Sequence, residues 1–523
     1  MNILAYLAVT VVIFIIAYRK YGNYLDKVFD ASDSHPTPAC AMADKRDYVA
    51  GKTPVVFSHH FVSIAGGGPI VGPTVALIYG FMPSWLWIVI GVVLIGAVHD
   101  YTVLFVSTRE KGKSIIDVTN RTIGKWGFIL FILFTLSMTV LVTAAFLGLT
   151  ATALGSLVNL KTIGLDASQT ILRVVQDPRT GEAMGQIGGI ASTSVVVMTL
   201  FAPLMGLLMY RFNIRTTSVA IIAVIVAISS IFVGIEYPVV LDPKIWMVIL
   251  SIYVFFASGS PVWLVLQPRD FINSFILYGG IIALFISLFS SGLQGLTVTA
   301  PSLSITEGIE RLGFIWPILF ITIACGAISG FHAIIAGGTT SKQICRESDV
   351  KRIGVGAMLL EGLLAVVVLL AVASGLSFTE YIKIVFPEGG KSNPILAFSL
   401  SMGSILDKGF SIPIYAGAIF GILLVEGFLI TTLDTAVRLN RYLLEELWSV
   451  IFKNPPRVLR SYLFNAGLSV ALMFSFAYTQ AFLAIWPIFG SANQLLAALT
   501  LIAVSVWLIS RGMPSWFTLI PAG

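Results

Sequence analysis

The chain has 523 residues, of which 57% are hydrophobic and only 11% are Asp, Glu, Lys or Arg. A soluble domain carries roughly 25% charged residues, so this composition excludes a water-covered fold and calls for helices that face lipid, each satisfying its own backbone. The net charge of +6 does not point to nucleic acid, because the basic residues sit in short clusters between apolar runs. The three cysteines, Cys40, Cys325 and Cys345, have no CxxC spacing and so exclude a zinc ribbon or a disulfide framework.

In chain order, the first apolar run, 2–18, lacks a basic leader and a small-residue cleavage site and is followed by Arg19 and Lys20. It reads as a retained first helix with its N-terminus outside. Further runs long enough to span a bilayer fall near 54–80, 84–108, 126–157, 190–210, 215–234, 245–270, 271–297, 314–338, 353–375, 409–433, 460–478 and 480–510. Together they predict an all-α polytopic membrane protein of about 13 transmembrane helices. Alternating their direction puts Lys161, Arg173, Arg179, Lys244, Arg311, Lys383, Lys391 and Lys408 outside and every other Lys and Arg inside. This is the bias that topology-setting charges produce, and it places the C-terminus in the cytoplasm.

Two runs are interrupted. The second holds Gly66-Gly67-Gly68-Pro69 and Gly72-Pro73; the seventh holds Ser258-Gly259-Ser260-Pro261 and then Pro268. Such breaks survive in lipid only beside protein or a cavity, and discontinuous helices at matching positions of two halves mark a transporter site. The spacing predicts inverted repeats of five helices at 54–234 and 245–433. An extra helix and loop at 1–53 precede them, and two helices at 434–523 follow. Half-helix ends attract ions through their exposed backbone groups, so Gly66, Gly67, Gly68, Ser258, Gly259 and Ser260 are expected to contact substrate. The plainer alternative is a kink or close packing through small residues.

Ionisable groups inside apolar runs are costly and default to function. His59, His60, His99, Asp100 and His332 could relay protons, could converge on a metal, or could simply satisfy one another. No close ligand spacing supports a metal. Thr339, Thr340 and Ser341 offer hydroxyls for a cation or a carboxylate, or bond back to their own helix. Lys342 could stand where a coupling cation would. Arg269 could clamp a substrate carboxylate in bidentate fashion. Glu361 and Glu426 are lesser relay candidates. Asp434, Arg438 and Arg441 read as a structural pair or an inner gate, and Trp486-Pro487 with Asn493-Gln494 as a packing and hydrogen-bond motif.

Several strings stand out together: His59-His60-Phe61 through Pro69, Gly96 to Tyr101, Gln267 to Asp270, Gly330 to Lys342, Gly356 to Gly362, Thr431 to Arg441, and Trp486 to Leu495. From about residue 50 to 505 the chain resembles the carbon starvation protein A family of bacterial and archaeal membrane transporters. The resemblance implies a plasma-membrane secondary transporter with a LeuT-like 5+5 inverted repeat, akin to the amino acid–polyamine–organocation superfamily. It implies uptake of short peptides or pyruvate, expected to be driven by protons, with carbon shortage as the inducing condition in some members. The family also has longer members with extra C-terminal spans, whereas this chain stops at Gly523.

The reading taken forward is a transporter in the bilayer with a small-molecule or short-peptide substrate, no enzymatic cofactor, and H⁺ or Na⁺ as coupling ion. One rival is a membrane-embedded metal-dependent enzyme, which needs several of the intramembrane histidines around one ion. Another is a nutrient sensor, for which the loops 19–53, 158–189 and 376–408 are too short to form a signalling domain. A channel is a third; no ring of charge favours it.

Overall fold

The computed structural model describes residues 2–44, 48–118, 124–166, 168–169, 171–176, 181–212, 214–261, 263–388, 392–452, 454–479 and 482–523. Lys45, Arg46, Arg121, Arg179, Lys391 and Lys453, all used above to orient the chain, lie outside the described residues. Among those described, 11 helices are long and apolar enough to cross a membrane. Helix α1 spans Ile3–Val28. The next span, Thr53–Tyr79, is split into α2 (Thr53–Ala65) and α3 (Gly68–Ala76). Then come α4 (Phe81–Arg109), α5 (Lys125–Leu154), α6 (Gly188–Arg211), α7 (Thr216–Glu236), α8 (Pro243–Gly259) and α9 (Leu266–Leu293).

A short amphipathic helix α10 (Ile305–Leu312) leads into a second split span, α11 (Ile315–Thr322) and α12 (Gly330–Gly338). There follow α13 (Asp349–Gly375), α14 (Phe378–Val385), α15 (Pro394–Phe410), α16 (Ile414–Ile451), α17 (Tyr462–Thr479), α18 (Phe482–Ile509) and α19 (Trp516–Ala522). Between α5 and α6 the chain forms a small antiparallel sheet of Val158–Asn159, Val174–Gln176 and Ala183–Gly185, with the last strand central.

Helix ends are set by local chemistry. The Asp242 side chain accepts from Lys244 N before Pro243 opens α8, and Asn393 accepts from Leu396 N before Pro394 opens α15. Ser377 and Glu380 form a reciprocal capping box on α14. Each satisfies donors that the first helical turn cannot.

Two groups of helices meet. In one, α13 packs on α2, α3 and α4, and α12 packs on α4. In the other, α5 packs on α8, α16, α17 and α18. Helix α9 bridges them, touching α2 and α16, and the α6–α7 hairpin leans on α9. The most apolar window of the span Thr53–Tyr79 is 100% buried.

Two readings are corrected. The interruption read at 258–261 is a turn between two separate helices: α8 packs on α5, α16 and α17, whereas α9 packs on α6, α7, α15 and α16. The second discontinuous helix is instead α11–α12, unwound over residues 323–329. The loop read at 376–408 is largely helical. Its helix α15 runs from Asn393, which donates to Ser156 just past α5, to Lys408, which donates to Ser374 O at the end of α13. Gly409 lies against Ser287 near the same end of α9. All of these contacts lie at one end of the bundle, so α15 lies across that end as a strap and does not cross it. The opposite end carries Arg109, Lys342 and Arg441 and is called the basic end below.

Candidate functional site

The site is built from the two breaks. Gly66 adopts φ +49°, a conformation that favours glycine, and this ends α2 one residue before Gly67 and Gly68 restart the helix as α3. The break faces its counterpart directly. A Cβ on Gly68 would overlap Cys325, and one on Gly72 would sit 2.8 Å from the Thr322 carbonyl oxygen. One on Gly326 would sit 3.5 Å from Pro69 Cα. Around Gly66 stand Thr432 Oγ1 at 3.0 Å and the Phe146 ring at 3.3 Å from the same kind of Cβ position. The start of α3 therefore lies beside the end of α11 and the unwound segment that leads into α12, and helix N-termini carry partial positive charge.

The unwound segment 323–329 is held by α18. Asn493 Oδ1 accepts from Phe331 N (2.9 Å) and Ser329 Oγ (3.2 Å), and its Nδ2 points at Cys325 Sγ (3.6 Å). Gln494 donates to Phe320 O (2.6 Å) and Trp486 to Thr322 O (3.3 Å). Backbone groups freed by unwinding thus find side-chain partners, as a break inside a membrane requires.

Beside the breaks, Asp100 on α4 accepts from two imidazoles: His99 Nδ1 at 2.9 Å and His332 Nδ1 at 2.8 Å. His332 lies in the first turn of α12, and its Nε2 is 3.4 Å from Glu361 Oε2 on α13. All four side chains are buried, and neither Glu361 oxygen accepts a hydrogen bond. Three helices therefore share one chain, Glu361–His332–Asp100–His99.

A second network crosses from α2 to α9 and α16. His59 Nδ1 lies 3.0 Å from Asp270 Oδ2. The neighbouring Arg269 pairs with Asp434 Oδ2 at 2.7 Å, donates to Thr431 Oγ1 at 2.9 Å and donates to the Tyr253 hydroxyl. Tyr253 in turn donates to Asp434 Oδ2 at 2.9 Å. Arg269 is 1% exposed, and a guanidinium that deep must be paired.

The remaining sequence candidates fall as follows. His60 is hydrogen-bonded to Thr340 Oγ1 at 2.9 Å, joining α2 to the foot of α12. Thr339 and Ser341 hydroxyls donate back to Ile335 O (2.9 Å) and Gly337 O (3.2 Å) of their own helix. Lys342 lies over the rings of Tyr48 and Tyr442 at the mouth of a cavity of about 240 Å³ on the basic end. Ser258 and Ser260 donate to Phe255 O and Phe256 O of α8, and a Cβ on Gly259 would overlap the Tyr462 ring. These three turn residues pack at the basic end and do not face the first break. Arg438 donates to Ala257 O (3.0 Å) and Ser260 O of that turn, and Arg441 stacks on Tyr442 at 4.3 Å. Glu426 is wholly buried, with both oxygens unbonded.

Sequence reasoning missed Cys325, Ser329 and the second break itself. The signal was the small-residue run Cys325-Gly326-Ala327 with Ser329-Gly330 in the middle of an apolar span, the same type of interruption as Gly66–Gly68. Of the four intramembrane histidines, His99 and His332 share Asp100 while His59 and His60 go to Asp270 and Thr340, and among the described residues no group of His, Cys, Asp and Glu is arranged to hold a metal ion.

The family profile described as carbon starvation protein CstA matches residues 2–390 and 377–523. Similar curated proteins include the peptide transporter CstA of Bacillus subtilis (strain 168), 30% identical over 547 residues, covering 96% of this chain and 84% of that one. The peptide transporter CstA of Helicobacter pylori (strain J99) is 32% identical, with 96% and 77% covered. The pyruvate/proton symporter BtsT of Escherichia coli (strain K12) is 30% identical, with 98% and 78% covered. Among solved structures, the crystal structure of MhsT in complex with L-phenylalanine superposes with a TM-score of 0.54, covering 90% of this chain and 96% of that one at 11% identity. That likeness shows a shared LeuT-like fold.

Proposed function

Because the chain belongs to the carbon starvation protein CstA family, we propose that it is a secondary transporter that imports a short peptide or pyruvate together with protons. The observation that carries the coupling is the buried chain Glu361–His332–Asp100–His99, placed where α12 restarts after its break. A buried carboxylate and imidazole 3.4 Å apart are close enough to exchange a proton. His332 can pass its charge between Asp100 and Glu361 as α12 moves relative to α4 and α13. Both substrate classes carry a carboxylate, which suits the positive ends of α3 and α12 at the breaks. The substrate contacts proposed are therefore Gly66, Gly67 and Gly68, with the 323–329 segment taking the role expected of Ser258–Ser260. Arg269, bound to two aspartates and a threonine, serves as a fixed internal cation joining α9 to α16.

The repeats that fit these contacts are α2–α5 with α8 and α9, and α11–α13 with α16, α17 and α18. The α6–α7 hairpin and the α14–α15 strap are insertions. The pairing is reciprocal: α9 packs on α2 as α18 packs on α12, α9 packs on α16 as α18 packs on α5, and α8 packs on α17. The clustered basic residues support a cytoplasmic basic end by the positive-inside rule, with the N-terminus outside.

The test is Asp100→Asn in proteoliposomes. Substrate exchange without a gradient is retained, while accumulation driven by an inward pH gradient falls to background. Undiminished pH-driven accumulation by this variant contradicts the assignment.

A further inference from the structure

Away from the central breaks, a trough of about 960 Å³ opens between α1, α2 and α13. We propose that it is a binding site for an anionic phospholipid, whose headgroup phosphate meets Arg19, Arg346 and Arg352 and whose acyl chain lies in the trough. The walls are apolar: Phe14 and Ile15 from α1, Phe57 from α2, Leu360 and Leu363 from α13. The floor is opened by Gly356, where a Cβ would lie 3.4 Å from the Phe57 ring and 3.8 Å from that of Tyr18.

The three arginines all lie at one end of the trough, the basic end. Arg346 and Arg352 share a single buried carboxylate, Asp349, at 3.2 and 3.7 Å, and are themselves 55% and 63% exposed. Asp349 also accepts from Thr53 Oγ1 at 3.0 Å, so it is fully engaged within the protein. Arg19 is exposed and makes no ion pair among the described residues. Asp33, bonded to Ser348, also lies within electrostatic reach of Arg346, and three guanidiniums against two carboxylates still leave the rim positive.

Depth fits one leaflet. From Arg352 to Leu363 the helix rises about 16 Å, roughly half of a 30 Å hydrocarbon core. Charge at headgroup level above an apolar trough is the arrangement that basic pockets between membrane helices use for anionic lipids. A soluble phosphate would meet the same arginines but leave the trough unused.

The experiment uses the full chain in a neutral detergent, with phosphatidylglycerol, phosphatidylcholine or inorganic phosphate added, read by melting temperature and by native mass spectrometry. Phosphatidylglycerol raises the melting temperature and stays bound as a discrete adduct; the other two do neither. The double variant Arg19→Gln/Arg352→Gln weakens phosphatidylglycerol binding roughly 30-fold, since each arginine near the surface contributes severalfold. Gly356→Leu, which fills the trough and leaves the rim intact, removes the adduct. Equal stabilisation by phosphatidylcholine, reproduction of the shift by inorganic phosphate, a lipid-free dimer mass, or an unchanged phosphatidylglycerol shift in both variants overturns the proposal.

Discussion

Asp100 is the residue on which the coupling reading turns, because one carboxylate is shared by two imidazoles on different helices. Around the breaks, glycines are just as specific. Gly72 faces backbone, with a Cβ position 2.8 Å from Thr322 O and 3.3 Å from Ile323 Cα, whereas Gly67 faces the movable end of Leu429 at 2.5 Å. Gly72→Ala must push the two broken helices apart; Gly67→Ala needs only a rotamer change. Uptake per inserted molecule is therefore expected to fall to background in Gly72→Ala and to remain measurable in Gly67→Ala, and the reverse order would contradict the facing of the breaks. Gly67→Leu, which extends past that rotamer, is expected to abolish uptake as well. At this scale the sequence was informative about which residues sit inside, since His59, His60, His99, Asp100 and His332 are all buried. It could not say which pairs form, because partners such as Asp100 and His332 lie 232 positions apart.

Among the elements, the Arg269 network ties α9 to α16. Removing only the arginine leaves Asp434 buried without its charge partner, a loss of about 3–5 kcal/mol. Arg269→Met is expected to lower the melting temperature strongly, and Arg269→Met/Asp434→Leu to recover part of the loss; no recovery in the double variant would mean the pair does not act as a unit. On α12 the hydroxyls separate. Thr339 bonds to its own helix, and Thr340 is bonded to His60. Thr340→Ala should therefore impair uptake more than Thr339→Ala, and equal effects would assign the loss to helix stability. The sequence located one break correctly and misplaced the other for a physical reason. Gly and Pro mark both a broken helix and the turn between two helices, and only packing tells them apart. Ser258–Pro261 joins helices that share α16 but otherwise pack on different neighbours, while the break at 323–329 carries no proline and is kept open by Asn493, Gln494 and Trp486 from α18.

Across the whole molecule, the spans were legible because apolar length and clustered charge are local properties of the chain, whereas the family and its LeuT-like fold were legible through the resemblance that strings such as Gly330 to Lys342 and Thr431 to Arg441 carry. The repeats proposed above differ from the 54–234 and 245–433 read in the sequence by treating the α6–α7 hairpin and the α14–α15 strap as insertions, a distinction that composition alone does not carry. The two groups of helices are joined by α9 and by the His59–Asp270 contact at 3.0 Å, and we propose that their relative rocking gives alternating access. The most direct measurement is uptake of labelled pyruvate and of a labelled dipeptide into proteoliposomes under an inward proton gradient, an inward sodium gradient, and neither. The account predicts accumulation of one of these substrates under the proton gradient alone. Accumulation only under the sodium gradient, or none under any condition by correctly inserted protein, would contradict it.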